Sequence, residues 1–534
     1  MTLNDHGYYI ADSTIGGQPA GKGFFSSKEV SSGEPIVTIR RPLMASLESD
    51  RLKDTCANCC VWTEGSAVGS RLYVNKATDV SVCAGCRRFR YCSKVLLLGP
   101  LRTLIDQCQA CQKEAWSRGH KHECKNLRPV ADRELPKAVL GCMEILVRRK
   151  HGLIDDQTWQ LLCHLESHVN DFKENGNYGG IELMAMGTSQ FSATQDTFTK
   201  DFVAAMYARI LSNSMTLMTP TFDPLGIVVD ALLCHLNHSC SPNTYIVMDG
   251  PQMQLRALSD IRRGEELFIS YIDPTMPLTR RQKELQERWF FVCACSKCSF
   301  GSLQREDEWL IQPADLPEQY KTLADVEIKN GNGIHSSEIH VGESADERRA
   351  TALQNKAFQL YEEGQRHADP AEAIRVIKEG IAYCTGSGLW PTHRQPLPAL
   401  RDDLIVNLLA LGNYKDAWFE CAKRHCHVIP KLFPQMHHPV RVVQTWQMAM
   451  LAQYLASAGV EVAPGADMAL IAAMLINTIN VTARMSHGAE SAFAKSVQAK
   501  FLEVKNELMG KFGSKDTMNK AIQYQAMLLA EMGG

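Results

Sequence analysis

The stretch LNHSCSPNTY, Leu236 to Tyr245, follows an apolar run and sets a single cysteine among hydrogen-bonding side chains. Asparagine, serine and proline favour turns, so the stretch predicts the point at which a buried strand gives way to a turn. A purely structural strand end is more easily built from valine or threonine. We therefore interpret these residues as part of a functional site that contains Cys240.

A second group of cysteines, Cys293-x-Cys295-x2-Cys298, supplies three thiols downstream of that turn. A closed structural zinc site needs four ligands, and Cys240 is the candidate for the fourth. Such a site would hold two distant segments of the chain together beside one pocket. The alternative is a three-cysteine turn near which Cys240 is simply buried.

The highest cysteine density lies upstream, in two C-x2-C pairs that are followed by further cysteines and one histidine. This spacing is typical of tetrahedral zinc sites, and eight ligands are enough for two structural ions. Because so small a module has little apolar core, metal would supply much of its folding free energy. The alternative is a set of unrelated buried cysteines. The candidate ligands are Cys56, Cys59, Cys83, Cys86, Cys92, Cys108 or Cys111, His120 and Cys124.

The chain has 534 residues and 45% hydrophobic content, which is enough for several domains. Its formal net charge of −2 argues against a protein that coats nucleic acid, although residues 71–128 carry 12 Lys and Arg against 4 Asp and Glu. We expect no secretory signal, and no membrane span because no apolar run approaches about 18 residues. The 19 cysteines are therefore expected to be reduced or metal-bound.

Periodic patterns divide the chain into β-rich and helical parts. Residues 1–50 and 225–275 predict strands, and residues 346–534 predict an all-helical region. The stretch LPKAVLGCMEILVRRKHG predicts a helix with Gly152 as its cap. The stretch TRRQKELQERWFF predicts a short helix that opens with a capping box from Thr279 to Gln282, and in which Leu285 and Trp289 share one face.

Four motifs occur in one order along the chain: GKGFF (Gly21 to Phe25), NHSCSPN (Asn237 to Asn243), GEELFISY (Gly264 to Tyr271) and CACSKC (Cys293 to Cys298). In this order they resemble the SET-domain protein lysine methyltransferases. The upstream cysteine cluster, with YCSK and ACQKEAWSRGHKHEC, resembles a MYND zinc module inserted into the SET domain. Over residues 1 to about 300, the chain is thus similar to the SET-and-MYND family of lysine methyltransferases.

The resemblance implies an α+β fold, in which a split, β-rich SET domain is interrupted by the MYND module and a helical insert. It also implies a pseudoknot, in which NHSCSPN passes beneath another segment. From the sequence of the C-terminal region we expect a stack of antiparallel helices that resembles tetratricopeptide repeats and covers one side of the cleft. The expected boundaries are 1–50 for the first SET part, 51–128 for the MYND module, 129–205 for the helical insert, 206–275 for the SET core, 276–300 for the cysteine-rich post-SET zinc segment, 301–345 for a linker and 346–534 for the helical domain.

The resemblance further implies methyl transfer from S-adenosyl-L-methionine to lysine side chains of histone or other proteins, with three structural zinc ions. Tyr271 would be the catalytic tyrosine that orients the lysine nitrogen, and Phe291 would stack on adenine. Asn213 would reach the cofactor from the β core, and the segment LESH, Leu165 to His168, resembles a family segment near the cofactor. The implied cofactor-binding residues are Gly21, Lys22, Gly23, Asn213, Asn237, His238, Tyr271 and Phe291.

The alternative from another class is an adaptor in transcriptional regulation, whose MYND module and helical domain bind partners while the SET portion is catalytically silent. Phe at position 271 or a missing cysteine would favour it, but Tyr271 and the three post-SET cysteines are present. The expected partner is a protein substrate that presents lysine. Proline-rich peptides are candidate partners of the MYND module, and direct nucleic-acid binding is less favoured. We expect a monomer without membrane association, in the nucleus and cytoplasm.

One segment departs from the family pattern: VLLLGPLRTLIDQCQ, Val95 to Gln109, separates YCSK from ACQKEAW. Its removal restores the family spacing between Cys92 and Cys111, so Cys111 rather than Cys108 is the expected ligand. The leading hypothesis is a retained intron, because in-frame codons for Val and Gln can supply GT and AG at its ends. The other is a genuine surface insertion, which costs little in loop closure. Under either hypothesis, both zinc sites should be intact.

Overall fold

The computed structural model describes residues 7–13, 15, 21–62, 80–92, 111–303, 305–332, 344–512 and 515–534 of the chain. Cys108 and the segment from Val95 to Gln109 lie outside the described residues, so both hypotheses about that segment stay predictions. The described residues combine small β-sheets with many helices, which confirms the predicted α+β class.

The strands belong to five small sheets in the described part of the chain. They are β1 (Tyr8–Asp12), β2 (Lys22–Ser26), β3 (Pro35–Ile39), β4 (Met44–Leu47), β5 (Val80–Val82), β6 (Arg90–Cys92), β7 (Met215–Met218), β8 (Pro224–Val229), β9 (Asn237–His238), β10 (Thr244–Asp249), β11 (Gln252–Ala257) and β12 (Phe268–Ile269). Antiparallel pairing of β3 with β11 and of β4 with β8 joins the start of the chain to residues beyond 220. A two-residue parallel pair, β9 with β12, joins the NHSC turn to the segment before Tyr271.

Close backbone contact holds β4 and β8 together. A Cβ atom added at Gly226 would lie 2.0 Å from the carbonyl oxygen of Ser46, so any side chain there would push β4 away. On the helical side, a Cβ at Gly141 would come within 2.7 Å of the side chain of Met44. The helical insert therefore lies tightly against this sheet, at the packing density of a protein core.

The helical insert runs beyond its predicted end at residue 205. Its helices are Lys137–Lys150, Asp156–His164, Val169–Glu174, Tyr178–Ser192 and Lys200–Asn213. The first ends as predicted, because Gly152 has a φ of 66° and its N–H and that of Leu153 satisfy the carbonyls of Arg149 and Arg148. Asn213 is the last residue of a helix and does not belong to the β core, so that part of its prediction is wrong.

The helix predicted from TRRQKELQERWFF spans Leu278–Trp289, but its predicted capping box is wrong. Pro277 is the N-cap residue, and Thr279 lies inside the helix. The carboxylate of Asp307 accepts from the N–H of Leu278 at 3.1 Å, so the cap is supplied from outside the local sequence. The prediction that Leu285 and Trp289 share one face is confirmed, because both pack in one apolar cluster with the post-SET cysteines.

The C-terminal region is helical, as predicted. Its helices are Ala345–Arg366, Pro370–Ser387, Leu397–Ala410, Tyr414–Lys423, Ile429–Leu432, Pro439–Ser457, Met468–His487, Ala492–Lys511 and Lys515–Gly533. Most neighbours in sequence pack on each other around a common core, and the last helix folds back against Tyr414–Lys423. Trp418 is fully buried in this core. The resemblance to tetratricopeptide repeats stays a prediction.

The expected linker, residues 301–345, is partly folded. It contains the helix Glu318–Glu327, and Leu316 and Ala324 are buried in the core of the C-terminal region. Ser344 then opens the next helix with a capping box that is completed by Glu347. The helical domain therefore begins earlier than residue 346, because apolar residues that precede the polar stretch also reach its core.

One helix of the described residues, Met468–His487, is long and apolar enough to cross a membrane by length and composition alone. Half of its most apolar window is buried inside the protein. Ile471, Leu475 and Ile479 of this helix lie in the core of the C-terminal domain. A core helix of a globular domain passes the same test, and these contacts favour that interpretation.

Candidate active site and metal centres

The eight candidate ligands of the upstream region form two interleaved clusters, and in each the four ligand atoms lie within 4.8 Å of one another. The first consists of Cys56, Cys59, Cys92 and Cys111, and the second of Cys83, Cys86, His120 and Cys124. The Sγ atoms of Cys59 and Cys92 are 3.4 Å apart. Four thiols, or three thiols and an imidazole, at this spacing fit tetrahedral zinc.

A carboxylate fixes the orientation of His120 in the second cluster. Its Nε2 lies 3.5 Å from Sγ of Cys83 and 3.6 Å from Sγ of Cys86. Its Nδ1 lies 3.0 Å from Oε1 of Glu123. Such a carboxylate selects the tautomer that presents the other nitrogen to a metal. Glu123 was not predicted, although it follows His120 at helical spacing.

Cys240, Cys293, Cys295 and Cys298 form a third cluster, whose ligand atoms also lie within 4.8 Å of one another. The structure thus brings the proposed fourth ligand to the other three, with 3.5 Å between Sγ of Cys240 and Sγ of Cys298. Gln282 accepts from the N–H of Cys293 and donates to its carbonyl, each at 2.8 Å. The glutamine expected in a capping box therefore holds the cysteine loop.

A fully buried cation, Arg281, lies beside the third cluster and donates to the carbonyl of Met276. Burial opposes its charge, but the thiols of Cys240 and Cys298 outweigh that effect and raise the pKa of Arg281. Four thiolates around one Zn²⁺ carry a net charge of −2, so a neighbouring guanidinium compensates part of that charge. The donor set and this cation together fit a structural zinc ion.

Tyr271 follows β12 and has both of its polar groups engaged. Its hydroxyl donates to the carbonyl of Leu236 at 2.6 Å, and its N–H donates to Nδ1 of His238 at 3.0 Å. Burial raises the pKa of Tyr271 above its usual value. The phenol therefore keeps its proton, and the remaining hydrogen-bonding capacity of its oxygen is that of an acceptor.

The ring of His238 connects Tyr271 to the third cluster. Because Nδ1 accepts from Tyr271, the proton of the neutral ring is on Nε2, which lies 3.2 Å from Sγ of Cys240. Burial lowers the pKa of His238 to about 4, which keeps the ring neutral. With both ring nitrogens engaged, a ligand contact from this residue would have to use its main chain. This linking role was not predicted.

A cavity of about 1520 Å³ lies between the SET domain and the C-terminal helices. The C-terminal domain forms one side of it through residues such as Gln395, Asp402 and Phe433, as expected for a domain that covers the cleft. Seven of the eight predicted cofactor-binding residues line its wall: Gly21, Lys22, Asn213, Asn237, His238, Tyr271 and Phe291.

Gly23 is the exception, and the structure gives a different reason for its small size. A Cβ at Gly23 would lie 2.2 Å from Oε1 of Glu266, so the glycine makes room for that carboxylate. Glu266 accepts from Oγ of Ser13 at 3.0 Å and from Nδ2 of Asn237 at 2.9 Å. The GKG and NHSC turns are therefore joined through Glu266, which was not predicted.

Asn213 holds the LESH segment against the cavity. Its Nδ2 donates to the carbonyls of Glu166 and Arg209, each at 2.8 Å. Glu166 and His168 consequently line the cavity, although no site role was assigned to them from the sequence. The signal was the resemblance of LESH to a family segment.

Trp289 closes the cavity between two of its walls. Its indole N–H donates to the carbonyl of Ser212 at 3.1 Å, and its ring centroid lies 5.4 Å from that of Tyr271. The residue was predicted only as one face of a short helix. Its position next to Phe291 in a post-SET segment was the signal that could have identified it as a site residue.

Comparisons with known proteins support this arrangement. Residues 21–272 match the family model of the SET domain. The SET domain and MYND-type zinc finger protein 6 of Schizosaccharomyces pombe is 31% identical over 57% of this chain and 56% of its own length. The human histone-lysine N-methyltransferase SMYD3 is 30% identical over 51% of this chain and 60% of its own. The Arabidopsis thaliana histone-lysine N-methyltransferase ASHR1 is 23% identical over 91% of this chain and 94% of its own length.

The match to residues 21–272 defines the class, since the chain carries a SET domain. With two cysteine clusters inserted between the SET strands and a third behind Tyr271, the chain is similar to the SET-and-MYND proteins among its relatives. The first two relatives named are matched over little more than half of their own lengths. The name of the human relative identifies it as a methyltransferase, and the name of the Schizosaccharomyces pombe relative identifies it as a SET domain and zinc finger protein.

Proposed function

We propose that this protein transfers methyl groups from S-adenosyl-L-methionine to lysine side chains of other proteins. The observation that carries the proposal is the position of Tyr271. Tyr271, whose hydroxyl donates to the carbonyl of Leu236, lines the same cavity as six other predicted cofactor-binding residues. An adaptor would not need this arrangement, and the intact tyrosine and four-cysteine cluster favour the enzyme.

The cavity wall fits S-adenosyl-L-methionine, which supplies an electrophilic methyl group when bound. Phe291 and Trp289 provide aromatic surfaces suited to a purine base. Lys22 and Arg288 provide positive charges and Glu166 a negative one, which suits an amino acid end that carries both. We assign Gly21, Asn213, Asn237 and the main chain of His238 to the same contact surface, and Gly23 to its support.

The hydroxyl of Tyr271 acts on the lysine through orientation. Because its proton is committed to the carbonyl of Leu236, its oxygen can accept a hydrogen bond from the lysine nitrogen and direct the lone pair at the methyl carbon. Holding two reacting atoms in line replaces the entropy loss of a bimolecular encounter. The protonated phenol is not a base for the lysine proton.

The lysine must react as the neutral amine. A cavity that excludes water lowers the pKa of a lysine, so the proton leaves to solvent more readily than from a free side chain. The nitrogen then forms a bond to the methyl carbon while the bond from that carbon to sulfur breaks. The product is a methylated ammonium group and a neutral thioether, which conserves atoms and charge.

We propose that zinc is structural and takes no part in the transfer. The ligand atoms in each cluster are close enough for one ion, and the carboxylate behind His120 supports an imidazole ligand. The assigned ligands are Cys56, Cys59, Cys92 and Cys111 for the first ion, Cys83, Cys86, His120 and Cys124 for the second, and Cys240, Cys293, Cys295 and Cys298 for the third.

The proposed partners are histone or non-histone proteins that present a lysine, since two relatives are named histone-lysine N-methyltransferases. Such substrates support a location in the nucleus and cytoplasm. We further propose that the protein acts as a monomer and that the MYND module takes proline-rich peptides in preference to nucleic acid. Gel filtration and peptide pull-downs with the isolated full-length protein test both points.

The test of the activity uses full-length protein with all its zinc. Calorimetry with S-adenosyl-L-methionine should show binding at one site. Incubation with isotope-labelled cofactor, mixed core histones and a cell extract should transfer label, and mass spectrometry should place the added mass on lysine. Absence of both binding and transfer would contradict the proposal. Binding without transfer would favour the adaptor.

A further inference from the structure

The segment from Tyr271 to Met276 connects the reactive tyrosine to the post-SET helix and is held from several directions. Leu236 accepts from the hydroxyl at its first residue. Lys297, next to a zinc ligand, donates to a carbonyl in its middle at 2.7 Å, and Arg281 donates to the carbonyl at its end. These three anchors come from the SET and post-SET parts of the chain.

A fourth anchor comes from the C-terminal helical domain. Nε2 of Gln395 donates to Oγ1 of Thr275 at 2.9 Å, although 120 residues separate them. Both side chains are only 4% exposed. Oγ1 of Thr275 in turn donates to Oδ1 of Asp273 at 2.7 Å, so the hydroxyl accepts from one partner and donates to the other. This relay runs from the helical domain into the segment that carries Tyr271.

The amide of Gln395 is itself fixed in one orientation. Its Oε1 accepts from the N–H of Ala399 at 3.2 Å, which turns its NH₂ group toward Thr275. Its main-chain carbonyl accepts from the indole of Trp390 at 3.3 Å. A donor that is held on both sides transmits position better than a free side chain, because little entropy is lost when it bonds.

Location separates this contact from a second contact between the domains. Gln395, Thr275 and Asp273 line the same cavity as Tyr271. The hydrogen bond between Oγ of Ser32 and Nε2 of His437, at 3.0 Å, joins the domains through residues that do not line it. One contact thus borders the reaction space, and the other only holds the domains together.

We propose that Gln395 is a positioning residue through which the C-terminal domain holds the Tyr271 segment in its reactive geometry. The inference rests on the proposed methyltransferase function. It assigns to the helical domain a direct share in setting the catalytic rate, in addition to forming a wall of the cavity. A displacement of about 1 Å in the reacting groups is enough to slow a transfer strongly.

The test compares Gln395→Ala, Thr275→Val and the double variant in the full-length protein. Each single variant should lower kcat about tenfold with mixed core histones and cell extract as substrates, because a buried hydrogen bond is lost and a buried partner is left unpaired. The KM for S-adenosyl-L-methionine and the content of three zinc ions should stay unchanged. The double variant should be no slower than Thr275→Val alone, since that variant already removes the contact with Gln395 together with the bond to Asp273.

Ser32→Ala is the matched control, because it removes a contact between two side chains of the two domains that do not line the cavity, together with the bond from Oγ of Ser32 to the carbonyl of Leu258. Ser32→Ala should lower the melting temperature by about as much as Gln395→Ala does, and it should leave kcat unchanged. An equal loss of kcat in this control, or additive losses in the double variant, would overturn the proposal and assign the effect to general domain docking.

Hydrogen–deuterium exchange gives a readout that needs no turnover. Amides of residues 270–276 should exchange faster in Gln395→Ala than in the unmodified protein or in Ser32→Ala. Unchanged exchange there would overturn the inference even if activity falls. An unmodified protein that binds no cofactor and transfers no label would instead overturn the proposed function, and the inference with it.

Discussion

The two metal-binding regions of this protein use the same donor atoms and differ in what they touch. The ligands of the two MYND clusters lie between Cys56 and Cys124, and those clusters pack against the helical insert. The third cluster takes one ligand from the NHSC turn and three from the post-SET segment. It packs with Tyr271, Trp289 and Phe291.

The comparison shows that ligand spacing alone does not reveal the role of a metal site. A cluster whose ligands all belong to one module stabilises that module. A cluster whose ligands come from two different parts of the fold fixes the relative position of those parts, and here they carry the tyrosine and the aromatic wall of the cavity. Loss of metal should therefore have different consequences in the two regions.

The largest difference is expected between two tyrosines, one in each region. Tyr271→Phe should lower turnover by about 10²- to 10³-fold with cofactor affinity nearly unchanged, because one oriented group at the reacting atoms is lost. Tyr91→Phe, next to His120 in the MYND module, should keep turnover close to that of the unmodified protein. Single-turnover assays and calorimetry measure both. Equal turnover in the two variants would remove Tyr271 from the mechanism.

Removal of one metal from each region tests the comparison directly. Cys295→Ala should lose one zinc of three and weaken cofactor binding about 10- to 100-fold, because the same cluster supports Phe291 and, through His238, the Tyr271 backbone. Cys59→Ala should also lose one zinc but leave cofactor affinity almost unchanged. Metal analysis and calorimetry on purified variants give both numbers. Equal losses of affinity would show that the regions are not separable.

The pH dependence of turnover tests the region around the cavity, because it depends on the protonation of the lysine and of Tyr271. The lysine must be neutral to react, so turnover should rise with pH by up to about tenfold per unit below the lysine pKa and then level off. Because burial raises the pKa of Tyr271 above the usual tyrosine value of about 10, its phenol stays mostly protonated up to about pH 10. No fall in turnover should appear up to that pH. A decline below pH 9 in folded, metal-replete enzyme would contradict the assigned state of Tyr271.

The smallest predicted effect belongs to Trp289. Trp289→Phe keeps an aromatic ring beside Tyr271 but loses the N–H that donates to Ser212. A hydrogen bond of this kind contributes about 1 kcal/mol, so cofactor affinity should fall by roughly fivefold and zinc content should not change. The cofactor affinity of Trp289→Ala, which also lacks the ring, should fall further. An affinity of Trp289→Phe equal to that of the unmodified protein would show that the tether is dispensable.

Much of the site could be predicted because its chemistry depends on residue type and spacing. The cysteine pairs, the histidine at 120 and the isolated Cys240 each follow rules of zinc coordination. The order of the four motifs identified the SET fold, and seven of the eight residues expected around the cofactor line one cavity. These features are local in sequence, or they belong to motifs that fix their relation to one another.

What could not be predicted depends on contacts between distant segments. Thr279 and Gln282 match a capping box, yet Asp307 caps the helix and Gln282 braces Cys293. Gly23 was expected to admit a ligand, yet it admits Glu266. In these cases a contact with a residue distant in sequence forms in place of the contact expected from the local sequence. Local pattern rules carry no information about that distant residue.

The bond between Nδ2 of Asn237 and the carbonyl of Lys22 spans 215 residues and has a consequence for biosynthesis. A ribosome that adds about 5–20 residues each second needs roughly 10–40 s to complete that interval. During this time the first strands await their partners with exposed edges, which invites aggregation. A MYND module that binds zinc early would shorten the flexible chain between the partners, although not the time of synthesis. Zinc supply would then affect the yield of native protein, in addition to the structural role proposed for the metal.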